Sequence, residues 1–278
     1  MQPITTEIVS RTIIKRPADS HKGNYGRIML IGGNQNFGGA IIMAATAATY
    51  SGAGLVTVAT DPSNFTSLHA RLPEAMVIDY HQTDTLLNLL AGMDVIVIGP
   101  GLGTDTVADQ LLTAVLAATH VPQRLVIDGS ALTLLAQQAR TLPATDIVVT
   151  PHQMEWQRLS GIAIKDQTPT ANHDAQQRLG VTAVVKAHRT TVYTDERVWF
   201  NPGGTPAMAT GGMGDTLAGM IGGFVSQFRN FTDAVLSAVY LHSAIADDLA
   251  ATRYVVLPHQ ISTRIPTYMH RFSQIERP

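Results

Sequence analysis

Five short apolar runs, most of them followed at once by a loop and a helical pattern, constrain this chain more than any other feature. They are Arg27-Ile-Met-Leu-Ile31, Leu55 to Ala59, Val95-Ile-Val-Ile98, Arg124-Leu-Val-Ile-Asp128 and Asp146-Ile-Val-Val-Thr150. Runs this short, apolar on successive residues, suit strands buried on both faces. Helical patterns lie at 40–51, 83–91, 106–119, 130–138, 153–160, 171–179 and 233–251, with a weak one at 261–268. Alternating strands and helices specify an α/β fold: a three-layer α/β/α sandwich around a mostly parallel central sheet. Shorter strands are expected at 181–186, 190–193 and 198–200, the last two as a hairpin. No repeat, low-complexity segment or linker interrupts residues 1–278, so a single domain is expected.

The composition narrows what such a fold can do. The residues are 45% apolar and only 14% charged, enough for a large core. The net charge is -2 with no basic run, which argues against a nucleic-acid partner. Cysteine is absent, which excludes disulfides, thiolate catalysis and cysteine-ligated zinc. Residues 28–60 carry no charge, yet Gly32, Gly33, Asn34, Asn36, Gly52 and Gly54 break them into strand, loop, helix, turn and strand rather than a membrane span. Residues 1–20 alternate polar and apolar types without the apolar centre of a signal peptide, so a cytoplasmic protein with no membrane partner is expected.

In an open parallel sheet, ligands bind beyond the carboxyl ends of the strands. The loops there follow Ile31, Ile98, Ile127, Val149, Val185 and Phe200. Gly32 to Gly39 and Gly99-Pro-Gly-Leu-Gly103 are glycine-rich, but neither a Walker sequence nor the dinucleotide fingerprint is present. Gly211, Gly212 and Gly214 precede a helical pattern through Leu217, Met220, Ile221, Phe224, Val225 and Phe228. A helix start after glycines offers unpaired N–H groups and partial positive charge to an anion. Asp215 in its first turn is either a dipole-matched residue or a proton acceptor beside a phosphoryl group. Lys186 ends an apolar strand, where a lone ammonium calls for an anion. Asp128 reads as a cap of the following helix or as a ligand. His152 reads as a helix-start residue bonding nearby carbonyls or as a ligand contact. Glu155 reads as an exposed helix residue or as an outer-shell magnesium ligand. Met208, Met213 and Met220 read as packing.

Set together, these segments resemble a known family. Gly-Gly-Met-Gly-Asp215 after Asn201-Pro-Gly-Gly resembles the anion-hole and catalytic-aspartate signature of the ribokinase-like superfamily. Lys22-Gly-Asn-Tyr-Gly26, Gly32 to Ala40, Ser51-Gly-Ala-Gly-Leu-Val56, Gly99 to Gly103, Thr150-Pro-His152 and Lys186-Ala-His-Arg-Thr190 narrow it to the ADP- or ATP-dependent NAD(P)H-hydrate dehydratases. The resemblance implies a repair lyase that restores NADH or NADPH from the 6-hydroxylated hydrate at the expense of ADP or ATP, with Mg2+. It implies contacts to the hydrate at Ala40, Gly103, His152 and Asp215. It implies contacts to the adenylate at Lys186, Ala187, His188, Arg189, Thr190 and Gly214. Asp215 would be the catalytic base, Gly212, Met213 and Gly214 the anion hole, and Glu155 a magnesium ligand through water. Many members are tetramers, so a homo-oligomer is implied, and the Gly/Ala-rich helices offer surfaces for it.

Two positions depart from the pattern. Met213 stands where the family has a small or hydroxyl residue, and Met154 where it has glycine. A ribokinase-like kinase acting on a vitamin precursor or sugar is the alternative reading. A nucleotide-binding regulator without activity is a third, opposed by the intact Asp215 and Lys186.

Overall fold

A computed structural model describes residues 1–138 and 140–275. The strands are β1 (Gln2–Pro3), β2 (Arg27–Ile31), β3 (Leu55–Thr60), β4 (Met76–Asp79), β5 (Val95–Ile98), β6 (Arg124–Ile127), β7 (Asp146–Val149), β8 (Thr182–Val185), β9 (Thr191–Tyr193) and β10 (Val198–Phe200). They form one ten-stranded sheet in the order β1-β10-β9-β8-β7-β6-β5-β2-β3-β4. Every pairing is parallel except the two that β9 makes, with β8 and β10.

Side chains alternate across this sheet, as a period of two requires. Ile28 and Leu30 of β2 enter one core, and Met29 and Ile31 enter the other. The first core is closed by α1 (Thr6–Thr12), α2 (Gly38–Tyr50), α3 (Phe65–Arg71) and, later in the chain, α9 (Met213–Val225), α10 (Phe231–Ala250) and α11 (Pro258–Ser273). The second is closed by α4 (Thr83–Leu90), α5 (Thr106–Ala118), α6 (Gly129–Gln137), α7 (Gln153–Ser160) and α8 (Pro169–Leu179). The result is the three-layer sandwich with helices on both faces.

The helix that carries Asp215 is wedged tightly into its layer. A Cβ on Gly219 would stand 2.0 Å from the Ala44 carbonyl oxygen of α2, and one on Gly222 would meet Val97 and Ile28 of the sheet. Glycine is needed at both places because no side chain fits the approach. The small residues of α2 and α9 serve the close packing of these two helices on each other.

Four elements escaped the sequence reading. Residues 2–12, read only as alternating, form β1 and α1, whose Ile8 and Val9 are buried together with Ile4 and Ile13. Seven helical residues are too few for a period to emerge. The edge strand β4 is half exposed, so its pattern is not continuous, and α3 is as short as α1. The tail helix is longer than expected and runs straight through Pro266. Among the described residues, no helix is long and apolar enough to cross a membrane.

Candidate active site

The registers set the site. Ile31 pairs with Ile98, Ile98 with Ile127, and Ile127 with Val149, so the carboxyl ends of β2, β5, β6 and β7 are level. Beyond them, His152 bridges to Lys186, which extends the same edge onto the end of β8. From β8 to β2 is four strand steps, or about 19 Å at the usual strand spacing. That is room for two ligands side by side. The chain runs outward one way through β2, β3 and β4 and the other way from β5 to β8, so its direction reverses between β2 and β5. Such a switch point opens a crevice between the diverging loops.

At the crevice, the loops after β2 and β5 are joined by backbone. The Gly33 N–H donates to Pro100 O at 2.8 Å, and the Asn34 N–H to Gly101 O at 2.7 Å. Gly101 and Gly103 have φ of +63° and +87°, which glycine adopts without strain. A Cβ on Gly103 would stand 2.6 Å from the Asn34 amide nitrogen. A Cβ on Gly101 would stand 3.0 Å from the Ala40 Cβ, so Ala40 and Gly103 lie on the same pair of joined loops. Their support comes from residues that the sequence reading passed over. Asn64, buried, donates to Gly33 O at 2.7 Å and to the Thr60 hydroxyl at 3.0 Å. The signal was available in Asp61-Pro-Ser-Asn64, a turn directly after a strand.

Helix α9 packs against β2, β5 and β6, and its start reaches this edge beside Lys186. Gly212 caps it at φ +91°. The helical ladder begins with Thr216 N–H donating to Gly212 O at 2.9 Å. Among the described residues, the N–H groups of Gly212, Met213 and Gly214 donate to no protein backbone acceptor. Such unpaired N–H groups at a positive helix end suit an anion, and this helix start is a candidate cradle for one. Met213 contributes backbone only, since its side chain is buried in the core with Met220. At this departure from the pattern, the side chain turns inward and only the backbone lies at the helix start.

Charged residues converge on the cradle. The Lys186 ammonium lies 2.9 Å from Asp128 Oδ1, and a Cβ on Gly214 would stand only 3.0 Å from Nζ. Asp128 is 2% exposed and also accepts the Thr150 hydroxyl at 2.6 Å. The reading of Asp128 as a helix cap is corrected, because its side chain makes no cap bond to α6. Burial alone would pull the Lys186 ammonium down, but Asp128, Glu155 and Asp215 outweigh it, and the group stays charged, above its ordinary 10.5. Burial pushes the Asp215 carboxyl up to about 6; Asp128 and Glu155 add to the rise and Lys186 opposes it. An acid near 6 is ionised at neutral pH and still basic enough to accept a proton.

His152 and Glu155 form a reciprocal cap at the start of α7. His152 Nδ1 accepts from the N–H groups of Met154 and Glu155 at 3.1 and 3.2 Å, and Glu155 Oε2 accepts the His152 N–H at 2.8 Å. The expectation that His152 bonds carbonyls is thus corrected: Nδ1 is an acceptor, and Nε2 of the half-exposed ring lies 3.5 Å from Glu155 Oε1. Glu155, read as exposed, is 8% exposed. Met154 occupies an exposed helical position where glycine's freedom is not needed.

Among the described residues, no three His, Asp or Glu side chains converge as a metal cage. One buried carboxylate, whose Oε1 lies outside the backbone cap and 3.5 Å from His152 Nε2, offers a magnesium ion a single contact, which suits an ion that keeps its waters and takes its remaining ligands from a nucleotide. Ala187, His188 and Arg189 are exposed. Their loop is tied down by the Asn201 N–H, which donates to Thr190 O at 2.8 Å. The following glycines are held by α10, where the Asp247 carboxylate accepts the Gly204 N–H at 2.9 Å. His242, also on α10, is buried; burial and the Lys186 charge pull its imidazole down to about 4, so it is neutral. A cavity of about 930 Å3 between Arg16, Tyr25, Gln227 and Met269 lies at the amino ends of the strands, away from this chemistry.

Known proteins resemble this chain in sequence and in fold. The family profile described as NAD(P)H-hydrate dehydratase matches residues 28–267. A protein of Lactiplantibacillus plantarum named ADP-dependent (S)-NAD(P)H-hydrate dehydratase is 99% identical over the whole of both chains. The crystal structure of a ribokinase-like superfamily protein from Enterococcus faecalis superimposes with a TM-score of 0.97 at 51% identity, covering 99% of this chain and 97% of that one. The ADP/ATP-dependent NAD(P)H-hydrate dehydratase of Bacillus subtilis, co-crystallised with ATP and Mg2+, does so with a TM-score of 0.86 at 30% identity over 98% of each chain. With a profile match over most of its length and a ribokinase-like fold, the chain belongs to the NAD(P)H-hydrate dehydratase family.

Proposed function

We propose that the protein dehydrates the (6S)-hydrate of NADH or NADPH, consuming ADP and releasing AMP and phosphate. The observation that carries this reading is Asp215, a carboxylate pushed up to about 6 in the first turn of α9, beside an open N–H cradle and the Lys186 ammonium. The names of the relatives point the same way.

Hydroxide leaves carbon poorly and phosphate leaves well, so the chemistry divides into two steps. Asp215 accepts the proton of the C6 hydroxyl as its oxygen attacks the terminal phosphorus of ADP. The bond from that phosphorus to the bridging oxygen breaks, and AMP departs. The N–H groups of Gly212, Met213 and Gly214 face the equatorial oxygens, where charge builds in the transition state. Lys186 offsets charge on the diphosphate. The ring nitrogen's lone pair then expels phosphate from C6, and loss of a C5 proton restores the dihydronicotinamide. Mg2+, held through water by Glu155, would neutralise the diphosphate. Ala40, Gly103 and His152 would seat the hydrated dinucleotide at the switch point. Residues 186–190 and Gly214 would seat the adenylate. In this reading the enzyme works in the cytoplasm as a single-domain subunit of a homo-oligomer.

The test is direct. The protein is incubated with hydrated NADH, Mg2+ and either ADP or ATP, and absorbance is followed in the reduced-cofactor band. Recovery with ADP and release of AMP are expected. No recovery with either nucleotide, alongside phosphoryl transfer to a vitamin-precursor alcohol, would replace this reading with that of a small-molecule kinase.

A further inference from the structure

We infer that Asp128, held by Thr150, is the positioning residue that aims the Lys186 ammonium at the phosphate cradle. This rests on the reading above that Lys186 and Gly214 face the nucleotide. Asp128 is fully enclosed at the end of β6, one strand step from His152 and two from Lys186. Its Oδ1 receives both the Thr150 hydroxyl at 2.6 Å and Lys186 Nζ at 2.9 Å. The hydroxyl is fixed on a buried residue at the end of β7, so the carboxylate cannot rotate without losing that bond.

Lys186 needs such a tether. Its ammonium stands among Asp128, Glu155 and Asp215, and a lysine stem is flexible enough to reach more than one of them. The start of α9 is close to Nζ, since a Cβ on Gly214 would stand only 3.0 Å from it. Of the three ammonium protons, one is taken by Asp128, and among the described residues no other hydrogen bond from Nζ is present. The remaining donors are therefore free for an anion at the α9 start. Without Asp128, the ammonium would turn to Asp215 or Glu155, withdraw from the phosphate and quench the base. His242, neutral and buried behind the same charge, cannot replace the missing carboxylate. An amide at position 128 keeps an oxygen in the same place and should preserve the aim.

The experiment is a double-mutant cycle on ADP affinity, measured by calorimetry on the full chain with Mg2+. The proteins are wild type, Asp128→Ala, Asp128→Asn, Lys186→Met and the Asp128→Ala/Lys186→Met double variant, each checked by thermal melting. Asp128→Ala should weaken ADP binding about tenfold, Asp128→Asn no more than about threefold, and the double variant no further than Lys186→Met alone. Asp128→Ala binding like wild type overturns the inference. So does an equal loss from Asp128→Ala in the Lys186→Met background, since the residue would then act through the fold. If Asp128→Ala does not fold, the rate at which an amine reagent labels Lys186 in Asp128→Asn and Thr150→Val decides. Acceleration in Thr150→Val but not in Asp128→Asn supports the tether, and unchanged rates in both refute it. A wild type that binds ADP but leaves hydrated NADH unchanged defeats the functional reading, while the cycle still tests Asp128. If the wild type binds no ADP, the same labelling comparison decides.

Discussion

Replacing Asp215 by asparagine should abolish turnover and at the same time stabilise the fold. The carboxyl is held at about 6 against an ordinary value of 3.8, first by burial and then by Asp128. A carboxyl raised on folding favours the native state only while it is protonated in both states. Its contribution is fully present below 3.8, is lost as the pH rises from 3.8 through about 6, and leaves the native protein at a disadvantage above that. At about 1.4 kcal/mol per pH unit, the full difference is about 3 kcal/mol at pH 7. Asp215 is not wholly enclosed, so screening reduces the expected gain to about 1–2 kcal/mol. The asparagine carries no charge at any pH. Urea unfolding of both proteins at pH 7 and at pH 4 measures the difference. The variant should be more stable at pH 7, and the gap should narrow at pH 4, where the wild-type carboxyl is protonated. A variant that is less stable at pH 7, or more stable by the same margin at both pH values, refutes the claim that burial of this charge raises its proton affinity.

Two more expectations follow from the same geometry. The kcat/KM for hydrated NADH should fall about tenfold from pH 7 to pH 5, since a base titrating near 6 goes from about nine-tenths to about one-tenth ionised; a flat profile across that range removes Asp215 as the base. Gly219→Ala should lower stability by about 3 kcal/mol or more, because its Cβ would stand 2.0 Å from Ala44 O and α2 would have to move; an unchanged melting temperature contradicts the close packing of α2 on α9.

The sequence by itself determined the layers. Apolar runs such as Val95 to Ile98 can only be strands covered on both faces, and the amphipathic segments between them can only be the cover. The glycines at the carboxyl edge and the motif ending in Asp215 were also local, because their patterns are contiguous in the chain. The tertiary structure decided the rest. Nothing near Asp128 in sequence says that it faces Lys186, 58 residues away, rather than capping its own helix. Nothing near Met213 says that its side chain turns into the core while its N–H stays in the cradle. The loop from Gly32 to Ala40 depends on Asn64, and the glycines after Asn201 on Asp247. Periodicity reports which face of an element is buried. It does not report which polar groups meet once the strand order β8-β7-β6-β5-β2 is set, and a buried charge is worth only what its neighbours make it.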